Sequence, residues 1–122
     1  MNTSKDRILI VESDPEISDF IGRQALSSAG FQAFTVNDAS SAISKILQIS
    51  PDLIITNIKL PGLSGKDLMV ALSSQGINIP IIVIAQVGQE SEVIQTFRLG
   101  AVDYLIWPCQ EPEIIRSVER II

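Results

Sequence analysis

Three short runs of the chain are apolar at every position: Ile8-Leu9-Ile10-Val11, Leu53-Ile54-Ile55 and Ile81-Ile82-Val83-Ile84. Most of these residues are β-branched, which favours strands. None of the runs alternates with polar residues, so each predicts a strand covered on both faces. That pattern belongs to a parallel sheet between helical layers, not to an antiparallel sheet with one wet face. A fourth run, Tyr104-Leu105-Ile106-Trp107, reads the same way, whereas Phe31 to Val36 alternates more, as an edge strand does.

Between the runs the apolar period lengthens from continuous to three and four residues, the mark of a helix with one buried face. Ile17, Phe20, Ile21, Gln24/Ala25 and Ala29 form the first such face. Asp14 suits its N-cap, Pro15 its first position and Gly30 its end. Ala39, Ala42, Ile43, Ile46 and Leu47 predict a second helix; Leu68, Met69 and Leu72 a third, ending near Gly76. Val93, Ile94 and Phe97 predict a fourth, closed by Gly100, and Ile114, Ile115, Val118 and Ile121 a fifth. Strand and helix thus alternate five times. Right-handed crossovers make that order a doubly wound α/β sandwich, in one domain over residues 1–122. Function in such folds sits at the carboxyl ends of the strands.

Composition narrows the chemistry. The chain has 122 residues, 46% hydrophobic and 19% charged, enough apolar material for one core and against disorder. It has no histidine, which removes histidine zinc sites and Ser-His-Asp triads, and one cysteine, Cys109, which removes an intramolecular disulfide. Nine basic against fourteen acidic residues give a net charge of −5, a poor match to nucleic acid. The polar start, Met1 to Arg7, leads into only four apolar residues, too few for a signal peptide, and no run approaches a membrane span. A reducing cytoplasm fits.

Four segments at the strand ends carry a resemblance: Ile8 to Pro15 (ILIVESDP), Pro51 to Gly62 (PDLIITNIKLPG) with Gly65, Ile79 to Ala85 (IPIIVIA), and Gly100 to Pro108 (GAVDYLIWP). In this order and spacing they resemble the receiver domain of bacterial two-component response regulators, over essentially the whole chain. The resemblance implies a flavodoxin-like fold: five parallel strands in the order 2-1-3-4-5, wound with five helices. It also implies a pocket in which an aspartate ending strand 3 accepts a phosphoryl group. Two acids after strand 1 help hold Mg²⁺, a hydroxyl ending strand 4 bonds the phosphoryl oxygens, and a lysine ending strand 5 pairs with them.

Carried over position by position, that chemistry is mostly missing. The acceptor position holds Asn57, whose amide is a poor nucleophile. The acidic pair falls on Glu12 and Ser13, so the formal charge of the three-acid set drops to a single negative, carried by Glu12. Mg²⁺ relies on carboxylates, so its binding is expected to be weak or absent, with Glu12 the one weak metal candidate. The hydroxyl position holds Ala85 and the lysine position Trp107. The expectation is a pseudo-receiver: no enzyme, no cofactor, and no switching by aspartyl phosphate. Pro108 follows Trp107, and the resemblance implies a cis bond between them.

Each candidate has a plainer reading. Trp107 is a stacking platform or a space-filling plug, and the plug is favoured. Asn57 is a hydrogen-bonding sensor or a remnant. Asp14 is a metal ligand or, as favoured, a helix cap. Cys109 is more simply inert than redox-active. Three functions remain open. The leading one is a signalling module that binds a protein partner or a downstream output domain, with a homodimer as an option. It would use the face of helix 4, strand 5 and helix 5, with Glu92, Gln95, Arg98, Tyr104 and Arg116 as candidates. The second is a phosphorylatable receiver with Glu12 or Asp14 as acceptor. The third is a small-molecule-binding flavodoxin-like domain, against which stands the lack of glycine or hydroxyl residues in Glu12-Ser13-Asp14-Pro15. The apolar ending, Ile121-Ile122, is read as the edge of an N-terminal piece of a longer protein.

Overall fold

The computed structural model describes residues 6–122, so the first five residues of the polar N-terminal stretch lie outside it. The elements run β1 (Arg7–Val11), α1 (Pro15–Asp19), β2 (Gln32–Val36), α2 (Ala39–Ile49), β3 (Leu53–Asn57), α3 (Gly65–Ser74), β4 (Ile81–Gln86), α4 (Glu90–Arg98), β5 (Asp103–Trp107) and α5 (Glu111–Ile121). The strands form one sheet in the order β2-β1-β3-β4-β5, every neighbouring pair parallel. The doubly wound sandwich expected from the unbroken apolar runs is therefore present.

The side-chain period of two divides those runs between two cores. Leu9, Val11, Ile54, Val83 and Ala85 face α2, α3 and α4. Ile8, Ile10, Leu53, Ile55, Ile82 and Ile84 face α1 and α5. Fully burying each such side chain is worth about 1.5–3 kcal/mol.

The helix signals behave as read at their ends. Asp14 accepts the Glu16 N–H at 2.9 Å with Pro15 in the first turn. Gly30 follows the end of the whole first helix, and Gly76 and Gly100 follow α3 and α4, with φ of +97°, +72° and +109°. Beyond Asp19 the first helix widens into a π-helical stretch, Phe20–Ser27. Its buried residues with Ile17 are Ile21, Gly22, Ala25 and Leu26, a stripe at roughly four-residue steps that the wider pitch keeps on the sheet. Ala29 and Gln24 of the expected face are exposed.

Three further readings need correction. In α2 the buried stripe is Ala39, Ala42 and Ile46, and Leu47 is 70% exposed. In α4 the inward positions are Val93 and Thr96, while Ile94 and Phe97 are exposed. Thr96 can be buried because its hydroxyl donates to the Val93 carbonyl at 2.6 Å. The run Tyr104 to Trp107 is an edge strand with only Leu105 buried, since β5 pairs with β4 alone.

Candidate functional site

Parallel strands in register end along one side of the sheet, and this alone gathers the candidate residues. Val11 lies opposite Thr56, so Glu12 and Asn57 emerge side by side from β1 and β3. Asn57 lies opposite Ile84, which brings Ala85 next, and Gln86 lies opposite Trp107. The loop after β3 is shaped by Gly65, whose N–H donates to the Ile58 carbonyl at 2.8 Å. A Cβ at Gly65 would lie 2.3 Å from the Asn57 carbonyl oxygen, so α3 reaches this close to the strand end only without a side chain there.

Glu12 is 2% exposed and Asn57 9%. The Asn57 Nδ2 donates to Glu12 Oε1 at 2.7 Å. The other carboxylate oxygen of Glu12 accepts the Asp14 N–H at 3.0 Å. Asn57 Oδ1 accepts the Lys59 N–H at 2.9 Å. Among the described residues no buried side-chain nitrogen or oxygen lacks a partner. One continuous hydrogen-bond chain thus joins the ends of β1 and β3.

The remaining positions add no charged group. Ser13 is exposed. Ala85 is fully buried in the core on the α2–α4 side. Trp107 is half-buried and packs edge-on against Phe20 of the first helix, ring centroids 5.4 Å apart. Its indole is therefore engaged in packing with the first helix. The Trp107–Pro108 bond is cis. A divalent cation does not fit this donor set. It needs several anionic oxygens, whereas both Glu12 oxygens and the Asn57 oxygen hold N–H donors and the Asp14 carboxylate caps α1. Among the described residues no three Asp, Glu, Cys or His side chains cluster for a metal.

The second candidate surface lies on α4, β5 and α5. Arg98, Arg116 and Tyr104 are exposed there and Glu92 is half-buried. Gln95 is exposed and accepts from the Lys66 ammonium of α3. Two apolar residues that sequence periodicity had assigned to the core, Ile94 (55% exposed) and Phe97 (41%), lie on this surface instead. Phe97 meets Tyr104 edge-on at 6.0 Å. Asp103 was not foreseen: it accepts from the Ser117 hydroxyl at 2.5 Å and pairs with Arg120. No local spacing announces a contact between a strand and the far end of the next helix. Among the described residues no helix is long and apolar enough to cross a membrane.

Comparison with known proteins places these features. A family model for the response regulator receiver domain matches residues 8–119. The DNA-binding response regulator MtrA of Mycolicibacterium smegmatis is 28% identical over 118 residues, 97% of this chain and 51% of the relative. The DNA-binding dual master transcriptional regulator RpaA of Synechocystis is 31% identical, covering 95% of this chain and 48% of the relative. The chain spans about half the length of these curated relatives. Among solved structures, the receiver domain of NtrX from Brucella abortus superposes with a TM-score of 0.88 at 29% identity, covering 93% of this chain and 96% of that one. The receiver domain of Francisella response regulator 1452 gives 0.87 at 26%, covering 96% of each. With the fold, the register and the matched length in agreement, the chain belongs to the family of response regulator receiver domains.

Proposed function

We propose that this receiver domain works in two-component signalling without aspartyl phosphorylation, through contact with a protein partner or a linked output module. The observation that carries the reading is Asn57. It stands at the end of β3, where the family's acceptor falls, and both polar ends of its amide are tied into hydrogen bonds. An amide offers phosphorus no anionic oxygen, and this one is already engaged. Ala85 and Trp107 supply neither hydroxyl nor cation for a transferred group. The curated relatives described as DNA-binding regulators are about twice as long, which supports an output module beyond this domain. The face of α4, β5 and α5, with Tyr104, Arg98, Arg116 and exposed Phe97, is the surface proposed for that contact or for a homodimer.

The test is incubation with acetyl phosphate and Mg²⁺, read by intact mass. No adduct is expected. Stoichiometric, Mg²⁺-dependent phosphorylation would overturn the proposal, and loss of the adduct in Glu12→Gln or Asp14→Asn would then identify the acceptor.

A further inference from the structure

We infer that the Asn57 carboxamide is a built-in substitute for a divalent cation, supplying the positive end that the buried Glu12 carboxylate needs and so fixing the loops after β1 and β3 without a ligand. The inference deepens the proposed function and rests on the same amide.

A carboxylate as enclosed as Glu12, 2% exposed, is tolerated only with donors or a cation beside it. Here donors suffice. Asn57 Nδ2 reaches Oε1 at 2.7 Å, within the short range of charge-assisted hydrogen bonds, and the Asp14 N–H takes Oε2 at 3.0 Å. The same amide then holds the Lys59 N–H through Oδ1 at 2.9 Å. One side chain therefore links the residue that caps α1 to the loop that leads into α3. An aspartate at 57 would present two acceptor oxygens and no donor to Glu12. Two carboxylates at that separation repel unless a cation or a shared proton stands between them. The choice of amide over acid at this one position thus decides whether the site calls for added positive charge.

The experiment compares the wild-type chain, Asn57→Asp and Asn57→Ala in thermal melts with and without millimolar MgCl₂, and follows the Asp14 and Lys59 amide resonances of the wild type through the same titration. Wild type is expected to show no shift in Tm and no movement of either resonance. Asn57→Asp is expected to melt roughly 3–8 °C lower in cation-free buffer, the scale of one lost hydrogen bond in a domain this small, and to recover most of that with Mg²⁺. Asn57→Ala is expected to melt lower and gain nothing from Mg²⁺. Mg²⁺-induced movement of the wild-type resonances overturns the inference, as does an Asn57→Asp chain that melts with the wild type in the absence of cation. Either result leaves the acetyl phosphate test unaffected, so the two readings fail separately. The resonance titration needs no variant to fold.

Discussion

Trp107 and Phe20 meet edge to face, ring centroids 5.4 Å apart and planes at 73°. The pair joins the end of β5 to the start of the π-helical stretch, on the side of the sheet covered by α1 and α5. Such a pair contributes about 0.5–1.5 kcal/mol beyond the area it buries. Both rings are half-buried, so Trp107→Ala is expected to cost about 2–3 kcal/mol rather than the 3–5 of a fully enclosed ring. Urea unfolding measures this. Phe20→Ala should cost less in the Trp107→Ala background than alone, and strict additivity would show that the rings do not interact.

The second prediction tests how closely α3 approaches the site. At Gly65 a methyl group would meet the Asn57 carbonyl oxygen at 2.3 Å and the Ile58 Cα at 3.1 Å. Both are backbone atoms at a buried strand end and cannot swing aside. Gly65→Ala is expected to lose about 3 kcal/mol, the upper range for overpacking, and to shift the Asn57 side-chain amide resonances. Gly30→Ala is the contrast: nothing lies within 4 Å, but φ is +97°, so the cost is backbone strain alone, about 1 kcal/mol. Equal losses in the two variants would mean that α3 yields easily.

A third prediction concerns acid stability. Burial pushes the Asp103 carboxyl up, but the Ser117 hydroxyl, the Tyr104 N–H and the Arg120 guanidinium together outweigh it and hold the group below the ordinary carboxylate range. A lowered folded pKa stabilises the fold above the unfolded pKa of about 3.9 and loses that contribution as pH falls through the folded value. Asp103→Asn is therefore expected to be less stable than wild type at pH 7. The gap should close below about pH 4 in denaturant titrations across pH. A gap that stays constant down to acid would show that the network contributes through shape and not charge.

The fold was legible because its signal is redundant. Each of Ile8 to Val11, Leu53 to Ile55 and Ile81 to Ile84 rejects polar residues on both faces, and only a covered parallel sheet satisfies all of them at once. Caps and helix ends were legible for local reasons: Asp14 with Pro15, and Gly30, Gly76 and Gly100. The faces of short helices were less so. In α4, Ile94 and Phe97 outrank Thr96 in hydrophobicity, yet Thr96 is the buried residue because its hydroxyl finds a carbonyl one turn back. The residues of the site could be named from motif position, but not their bonding. That Asn57 donates to Glu12 depends on a register between strands 45 residues apart, which no local pattern encodes. Asp103 with Arg120 depends instead on how α5 packs against β5, which no local pattern encodes either.

The last prediction concerns Cys109, which follows the cis Trp107–Pro108 bond and packs partly against the α1–α5 core. Burial pushes its thiol up to about 11, and the Glu113 carboxylate nearby pushes the same way. The thiolate is the reactive form, so at pH 8 about one molecule in a thousand is poised to react. The reaction with an aromatic disulfide reagent is expected to be slow at pH 8, to speed up about tenfold per pH unit until near pH 11, and to become fast on unfolding in urea. Glu113→Gln removes the lesser cause and should raise the rate at pH 8 only modestly. The sign for stability follows: the folded state disfavours the thiolate, so stability is full below about pH 8.5 and falls as pH rises toward 11. Cys109→Ser should flatten that alkaline decline. Rapid modification of the folded chain at pH 7 would mean that the sulfur is neither shielded nor inert.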